Sequence, residues 1–410
     1  MIRYIDLCCG IGGFRVAIEQ IDSLNFECVF SSDIKHDALD TYNVNFKESI
    51  TPVDLFDVEP EQIPAFDLLC AGFPCQPFSS AGHKKGFDDD RGGMIFKIID
   101  ICAYHKPNVV FLENVYNLLT LDHGQCIQRI RKLFEDLGYN VYYEKLNSKD
   151  FGCPQSRERV YIVCTKTSFK FPINIQDTVL LKHIIDYSDK RTDIDNSFAN
   201  KLIQLHKKQN ILGCKMGDKR GGMKNIHSWD LEYNGPLREE CKTLMNKIML
   251  ERRKKHWAKQ KGVDWMDGMP LTLEDIHTFY KSESLKEMLD DLVEKKHLRL
   301  EKCKVLVNGK REYKLDSETG YNICKGKLSF PVSQVLDFEN IAPTLTATDS
   351  HKLVVLIDNT YIRRLNTLEL KRICGFPDDF VVPEKVNAFD LFGNMATPPV
   401  LKGILESLYC

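Results

Sequence analysis

Short apolar runs alternate with amphipathic stretches over the first 170 residues of the chain. Strand-like apolar runs lie at residues 3–8, 27–32, 66–71, 108–113 and 159–164. Apolar residues recur at helical spacing at residues 14–21, 36–45, 93–104 and 125–137, and Gly138 is placed as a helix stop. Strands that alternate with helices are typical of βαβ units. This part of the chain therefore predicts an α/β doubly wound domain, a mainly parallel sheet with helices on both faces.

The regular alternation is lost after about residue 175. Clusters of Gly, Lys and Asn follow, with a basic run at residues 251–261 and one acidic helical stretch at residues 271–296. Helical spacing returns at residues 367–374 and from residue 394 to the end. We therefore predict a second, irregular domain at residues 176–360, set between residues 1–175 and residues 361–410.

The composition is that of an ordinary globular protein. The 410 residues are 43% hydrophobic and 28% charged. No apolar run approaches the roughly 20 residues of a membrane span, and no export signal begins the chain. The 15 cysteines lack zinc-finger spacing. We therefore expect a cytoplasmic protein with reduced thiols, no membrane contact and no metal.

The net charge of −2 conceals an uneven distribution. Residues 201–330 carry 28 Lys and Arg against 19 Asp and Glu, whereas the rest of the chain carries 28 against 39. A basic segment between acidic ones indicates that the middle region meets a polyanion. On charge alone, a solvated basic surface explains this distribution equally well.

A glycine-rich turn follows the first predicted strand. Gly10, Gly12 and Gly13 precede Phe14 in a spacing that lets a ligand approach the backbone. Asp33 lies about 20 residues on, where an acidic side chain can accept hydrogen bonds from ribose hydroxyls. The turn suits a nucleotide-like cofactor, although a tight structural turn is the alternative. Its G-x-G-G spacing disfavours a nicotinamide-dependent oxidoreductase, which has G-x-G-x-x-G.

A stiff loop carries Cys75 directly after the third predicted strand. The cysteine lies between two prolines and close to glycine and serine residues. Open α/β sheets place their ligands at the carboxyl ends of strands, where this loop begins. Free cysteine is usually buried, but the Pro, Gly and Ser residues around this one argue against a core position. We therefore expect Cys75 to be a functional residue.

Polar side chains also mark the ends of two later strands. Glu113 and Asn114 end an apolar strand. Gln155, Arg157 and Arg159 open the next predicted strand, with both arginines on one face. Taken singly, such residues are typical of helix caps or surface ion pairs. Their convergence with the cysteine loop favours a catalytic site.

Together these segments resemble the DNA (cytosine-5) methyltransferases, in the order usual for that family. The resemblance covers most of residues 1–170 and 361–410. It rests on residues 6–14, 72–79, 113–115, 155–159, 364–369 with 375–377, and 393–394. The middle region corresponds by position to the family's target-recognition domain. Its length resembles that of restriction–modification enzymes.

The resemblance implies methyl transfer from S-adenosylmethionine to carbon 5 of a flipped-out cytosine, through a covalent cysteine adduct at carbon 6. The implied catalytic residues are Cys75, Glu113 at ring nitrogen 3, Arg157, and Arg159 beside the thiolate and the base. The implied cofactor-binding residues are Cys8, Gly10, Gly12, Gly13, Phe14, Asp33, Asp54, Met94 and Asn394. The implied substrate-binding residues are Pro74, Gln76, Ser79, Asn114 and Gln155. Where the family commonly has an aromatic residue against the cofactor, this chain has Cys8.

The resemblance also implies partners. We expect a monomer that acts on double-stranded DNA, associates with the nucleoid, and has a cognate restriction endonuclease as a genetic partner. Candidate DNA contacts lie at residues 215–224, 252–255 and 344–348. Two alternatives stay open, a methyltransferase for transfer RNA and a catalytically silent DNA-binding relative. The long basic middle region favours DNA over RNA, and the intact catalytic residues argue against a silent relative.

Overall fold

The computed structural model divides into two compact units. Unit 1 comprises Met1–Asp186, Phe338–His351 and Leu365–Cys410, and unit 2 comprises Tyr187–Asp337 and Lys352–Arg364. The structure describes residues 1–74, 93–173, 176–217, 224–265, 268–324, 326 and 329–409. Cys75, Gln76 and Ser79 lie outside the described residues, as do residues 218–223 of one candidate DNA contact. That unit 2 recognises the target stays a prediction.

A six-stranded sheet forms the centre of unit 1. Its strands are β1 (Ile2–Leu7), β2 (Phe26–Ser32), β3 (Leu68–Gly72), β4 (Val109–Val115), β5 (Asn140–Asn147) and β6 (Glu158–Thr165). Their order is β2-β1-β3-β4-β6-β5, in which β1 to β4 are parallel and β6 is antiparallel to both neighbours. The predicted α/β fold with a mainly parallel sheet is confirmed. The sequence pattern missed β5, an edge strand whose residues are only partly buried.

Helices cover both faces of this sheet. They are α1 (Gly13–Glu19), α2 (His36–Phe46), α3 (Met94–His105) and α4 (Gln125–Asp136), as the apolar spacing predicted. On one face, Ile98 of α3 and Ile130 of α4 are fully buried against the sheet. Phe14 of α1 packs on the other face, in a separate cluster. Burial on both faces explains why the central strands are almost wholly apolar.

The described residues of unit 2 form five helices and several short strands. They are α5 (Asn196–Lys208), β7 (Lys215–Met216), β8 (Asn225–Ile226), α6 (Glu239–Glu251), α7 (Lys255–Gln260), α8 (Leu273–Phe279), α9 (Leu285–Glu294), β9 (Leu298–Lys302), β10 (Lys304–Val307), β11 (Lys310–Tyr313), β12 (Thr319–Ile323), β13 (Gln334–Val335), β14 (Leu353–Ile357) and β15 (Tyr361–Arg364). The strands form the sheets β10-β11, β12-β9 and β15-β14-β13-β7-β8. The acidic stretch predicted at residues 271–296 is two helices, because α8 ends at Phe279 and the extended backbone of the next residue, Tyr280 (φ −138°), does not continue the helix.

The C-terminal segment belongs to unit 1 and contains α10 (Thr367–Cys374), α11 (Ala388–Asn394) and α12 (Pro398–Tyr409). Residues Val400 and Ile404 of α12 pack in the same cluster as Phe14. The helix predicted from residue 394 onward is wrong at its start. Asn394 ends α11, and α12 begins only at Pro398, because proline suits the first turn of a helix and not its interior. Across the described ranges, no helix is long and apolar enough to cross a membrane.

Candidate functional site

A cavity of about 780 Å³ lies in unit 1 at the carboxyl ends of the parallel strands. The antiparallel strand β6 begins at the same edge, because Arg159 pairs with Val115 at the end of β4. The predicted site residues that line the cavity are Cys8, Gly10, Asp33, Asp54, Pro74, Met94, Glu113, Asn114, Arg157, Arg159 and Asn394. Residues far apart in the sequence therefore meet where α/β sheets place their ligands.

The glycine turn forms one wall of this cavity. Gly10 has a positive φ of 55°, and a Cβ placed on it would meet nothing within 4 Å. The amide of Gly10 donates to Asp33 Oδ2 (2.8 Å), and the amide of Lys35 donates to Asp33 Oδ1 (2.9 Å). Asp33 thus fixes the turn and leaves open space above its backbone for a ligand.

Three predicted cofactor residues of this turn do not line the cavity. A Cβ on Gly12 would lie 2.3 Å from the ring of Phe46, and one on Gly13 would lie 2.3 Å from the carbonyl oxygen of Ala396. Phe14 is buried and packs edge-on against Phe111, with ring centroids 5.1 Å apart. The role that the structure shows for these residues is close packing of α1 against its neighbours.

The cavity is also lined by two exposed apolar side chains that the sequence patterns did not single out. Ile34 is 67% exposed and Phe56 is 46% exposed. Each follows shortly after a carboxylate: Ile34 comes after Asp33, and Phe56 comes after Asp54. The amide of Phe56 donates a hydrogen bond to Asp54 Oδ1 (3.0 Å). Apolar surfaces next to carboxylate acceptors suit a flat heterocycle with donor groups at its edge. The available sequence signal was an apolar residue one or two positions after a carboxylate that had itself been singled out.

Burial suppresses the ionisation of several acidic groups in unit 1. Burial, with the carboxylates of Asp33 and Asp6 adding to it, raises the pKa of Cys8 to about 12, so its thiol stays protonated. Burial also raises the pKa of Asp6, below the turn, to about 8. Among the described residues, neither oxygen of Asp6 has a hydrogen-bond partner, so no donor offsets the cost of burying its charged form.

The described cysteines behave as structural residues. None of these thirteen forms a disulfide with another described cysteine. Burial is the largest cause that raises the thiol pKa of twelve of them: Cys8, Cys9, Cys28, Cys70, Cys102, Cys126, Cys153, Cys164, Cys214, Cys241, Cys303 and Cys374. No three His, Cys, Asp or Glu side chains are grouped to hold a metal ion within the described ranges.

A buried ion pair lies at the end of β4. Arg159 Nε is 3.1 Å from Glu113 Oε1, and only 13% and 11% of the two side chains are exposed. Burial raises the pKa of Glu113, and the Arg159 guanidinium opposes this rise in pKa without cancelling it. Because burial disfavours the charged form of Glu113 and Arg159 favours it, this side chain can exchange a proton and present a carboxyl group to a ligand.

The end of β3 is held beside this ion pair. Gly72 pairs with Glu113 across the two strands, and Asn114 Nδ2 donates to the carbonyl oxygen of Phe73 (2.9 Å). Pro74, which lines the cavity, is the next residue. Asn114 therefore positions the strand end from which the cysteine loop starts.

Arg157 and Gln155 connect β6 to the C-terminal half of unit 1. The guanidinium of Arg157 donates to the carbonyl oxygens of Leu345 (2.9 Å), Gly393 (3.2 Å) and Met395 (2.7 Å). Gln155 is fully buried, and its Oε1 accepts from the amide of Leu345 (2.8 Å). Burial and the neighbouring Arg159 lower the pKa of Arg157 to about 10. Gln155 Nε2 also donates to the carbonyl oxygen of Ile373 (3.4 Å) and to Sγ of Cys374 (3.9 Å), so both side chains join the start of β6 to later segments of unit 1.

We expect Arg157→Met to destabilise unit 1 by about 3–5 kcal/mol, because it leaves three buried carbonyl oxygens without their donor. The measurement is the urea-unfolding midpoint. Arg131→Met is the matched control, since Arg131 makes only an exposed pair with Glu135 and should change stability by less than about 0.5 kcal/mol. Equal midpoints for the two variants would contradict the structural role of Arg157.

Asn394 reaches the cavity from α11. Its Nδ2 donates to the backbone oxygen (3.1 Å) and Oδ1 (3.0 Å) of Asp390, and Asp390 forms an ion pair with Lys35. This pair joins the end of β2 to a helix 355 residues later. No local sequence pattern marks Lys35 and Asp390, because only the fold brings them together.

Comparison with protein families gives a match over the whole chain. The sequence model of C-5 cytosine-specific DNA methylase matches residues 2–410. The chain is 41% identical to Type II methyltransferase M.NlaIV of Neisseria lactamica, over 99% of this chain and 98% of the relative. It is 34% identical to Type II methyltransferase M.BanI of Aneurinibacillus aneurinilyticus, over 100% of this chain and 96% of that relative.

Solved structures of distant sequence share the fold. The Entamoeba histolytica methyltransferase EhMeth superposes with a TM-score of 0.53 at 17% identity, covering 100% of this chain and 98% of that one. A putative DNA modification methyltransferase encoded within an E. coli prophage gives 0.52 at 19% identity, covering 100% and 99%. At this identity, the likeness concerns the fold alone.

Proposed function

The chain belongs to the C-5 cytosine-specific DNA methylases, and from that premise we propose that it methylates a cytosine within one short DNA sequence, using S-adenosylmethionine. It is a DNA cytosine-5 methyltransferase of the Type II restriction–modification kind. The observation that carries the finer proposal is the Glu113–Arg159 pair, which shares one cavity with Asp33, Asp54 and the start of the cysteine loop.

The cavity residues fit S-adenosylmethionine on chemical grounds. When bound, this cofactor supplies an electrophilic methyl group on its sulfonium sulfur. Asp33 would accept hydrogen bonds from the ribose hydroxyls, and Asp54 from the adenine amine. The open space above Gly10 admits a ligand against the backbone. Met94 and Asn394 would complete the walls.

The cysteine loop and the ion pair would act on the base. Cys75 follows Pro74 directly in the chain, and its thiolate would bond to carbon 6 of the cytosine. Protonated Glu113 would donate a proton to ring nitrogen 3 as electron density moves into the ring. Arg159 would hold Glu113 and stabilise negative charge nearby. Carbon 5 would then take the methyl group and lose its proton to a base. As the double bond between carbons 5 and 6 re-forms, the thiolate of Cys75 would leave carbon 6 and ring nitrogen 3 would return its proton to Glu113.

Cytosine inside a duplex cannot present carbon 6 to a thiolate, so the base must leave the helix. Extrusion costs a few kcal/mol of stacking and pairing. Phosphate contacts from the basic middle region would offset that cost. We further propose that the enzyme acts as a monomer and that its methylation protects DNA from a cognate restriction endonuclease.

The direct test is base-resolution conversion sequencing. Unmethylated random-sequence duplex DNA is incubated with the purified protein, with and without S-adenosylmethionine. We expect methylated cytosines within one short motif, and only when the cofactor is present. Transfer RNA is treated in parallel. Methylation of the RNA alone would favour the RNA alternative, and binding of DNA without methylation of either polymer would favour a silent relative.

We propose that the adenine of S-adenosylmethionine stacks on the ring of Phe56. Phe56→Ala should then weaken cofactor binding about tenfold, because stacking of a base on an aromatic ring contributes about 1–3 kcal/mol. Isothermal titration calorimetry without DNA measures this affinity. Phe56→Tyr keeps the ring and should bind nearly as tightly as the parent. Tyr104→Ala removes an equally exposed aromatic side chain that does not line the cavity, and should change nothing. Unaltered affinity in Phe56→Ala would exclude this contact.

A further inference from the structure

An exposed two-stranded ribbon extends within unit 2. It consists of β10 and β11, joined by Asn308 (φ 49°) and Gly309 (φ 77°). Positive φ at both central residues is the requirement of a tight type I′ turn, which matches the twist of the paired strands. Every residue from Leu306 to Tyr313 is exposed. The ribbon is therefore regular in backbone but contributes little to a core.

The strand register divides the ribbon into two different faces. Lys304 lies opposite Tyr313, and Leu306 lies opposite Arg311, so these four side chains share one side, the ribbon face. Lys304 Nζ lies 4.8 Å from the centre of the Tyr313 ring, in agreement with this assignment. The opposite side holds Val305, Glu312, Val307 and Lys310. The ribbon face thus carries two cations and no carboxylate.

The charges of the ribbon face are available to a partner. Within the part of the chain that the structure describes, neither Lys304 nor Arg311 forms an ion pair with a carboxylate. Leu306 and Tyr313 on the same face are 57% and 51% exposed. A surface that holds cations, an aromatic ring and no acid is complementary to a polyanion.

A second basic element lies at the base of the ribbon. Lys314 Nζ is 3.4 Å from the backbone oxygen of Lys261, just after α7. In α7, Lys255 lies over the exposed ring of Trp265, with Nζ 5.9 Å from its centre. Unit 2 therefore holds a second pair of a cation and an exposed aromatic ring, in addition to Lys304 and Tyr313 of the ribbon.

We propose that the ribbon face binds the phosphate backbone of the duplex DNA substrate, with Lys304 and Arg311 as its contacts. This inference rests on the proposed function. A second copy of the chain is a poorer occupant, because a symmetric contact would bring the same cations together from both copies. The sequence-based candidates for DNA contact did not include the ribbon.

The test exploits two neighbouring cations that point to opposite sides. Arg311→Ala and Lys310→Ala each remove one positive charge from the same strand, but only Arg311 belongs to the ribbon face. DNA affinity is measured by fluorescence anisotropy from 50 to 200 mM salt. Each lost phosphate contact lowers the salt slope by about 0.9. We expect Arg311→Ala to lower the slope by about one and the affinity about fivefold, whereas Lys310→Ala keeps the parent slope.

The double variant Lys304→Ala/Arg311→Ala should lower the slope by about two. Its S-adenosylmethionine affinity and methylated motif should equal those of the parent. Equal slopes for Arg311→Ala and Lys310→Ala would overturn the inference while the parent still methylates DNA. If the parent forms a concentration-dependent dimer and the double variant does not, the ribbon face would instead bind a second copy of the chain. A parent that neither binds nor methylates DNA would overturn the proposed function and this inference with it.

Discussion

Cys75→Ser is expected to lower methyl transfer by on the order of 10⁴-fold or more, while DNA and cofactor binding persist. A hydroxyl group ionises far less readily than a thiol, whose ordinary pKa is about 8.5, and so adds poorly to carbon 6. The described cysteines offer no substitute in this cavity, because Cys8 is the one that lines it and its pKa is raised to about 12.

The adduct itself can be observed. A duplex that contains 5-fluorocytosine in the target motif carries fluorine in place of the proton that must leave carbon 5. The bond between the thiol sulfur and carbon 6 then cannot be broken after methyl transfer. We expect a complex with the parent that survives denaturing electrophoresis, and none with Cys75→Ser.

Cys153→Ser is the matched control, because it replaces a buried thiol that does not line the cavity. It should keep the adduct. Methyl transfer at the parent rate by Cys75→Ser would reject Cys75 as the nucleophile. An adduct that still forms with Cys75→Ser would also reject Cys75 as the nucleophile.

Glu113→Gln is expected to lower the rate of methyl transfer by about 10²–10⁴-fold, the usual contribution of a positioned general acid. The amide keeps the size of the carboxyl group and can still donate a hydrogen bond. It cannot transfer a proton to ring nitrogen 3, and it removes the charge that pairs with Arg159. Single-turnover kinetics separate this loss from any change in DNA affinity.

The pH dependence distinguishes an acid from a structural residue. Burial raises the pKa of Glu113, so its protonated form persists to higher pH than that of an ordinary glutamate. A rate that needs the protonated form falls as the pH rises through this raised pKa. In Glu113→Gln that fall should be absent, since the amide does not titrate. Glu144→Gln, on the exposed part of β5, is the control and should keep the parent profile.

A parent whose rate shows the same pH profile as Glu113→Gln would contradict the role of Glu113 as the acid. A variant that merely unfolds is recognised by its thermal transition. Because the change leaves the buried guanidinium of Arg159 without its charged partner, the transition is expected to move to lower temperature, and the rates are compared below the transition of the variant.

The sheet of unit 1 could be predicted because its chemistry is local. Each of its central strands is a short apolar run, and each covering helix repeats apolar residues every three to four positions. The edge strand β5 escaped prediction, since partial burial on an edge leaves no clear alternation. The break in the acidic stretch after Phe279 also escaped, because no glycine or proline marks it in the sequence.

The sequence predicted which residues lie near the cavity better than it predicted the contacts that those residues make. Asp33, Glu113 and Arg159 follow or open strands, and strand ends meet at one edge of a parallel sheet. The same reasoning placed Gly12 and Gly13 at a ligand, whereas the structure shows them at the closest approaches of α1 to other segments. A glycine pattern indicates that the backbone approaches a neighbour closely, but it does not show whether that neighbour is a ligand or another segment of the protein.

The sequence by itself determined the fold class, the family and the set of reactive side chains, because these depend on residue type, spacing and order along the chain. Only the tertiary structure decided that Arg159 pairs with Glu113, that Arg157 holds three distant carbonyl oxygens, and that Phe56 lines the cavity. These contacts join residues dozens to hundreds of positions apart. Their partners are chosen by packing and burial, which no local pattern in the chain records.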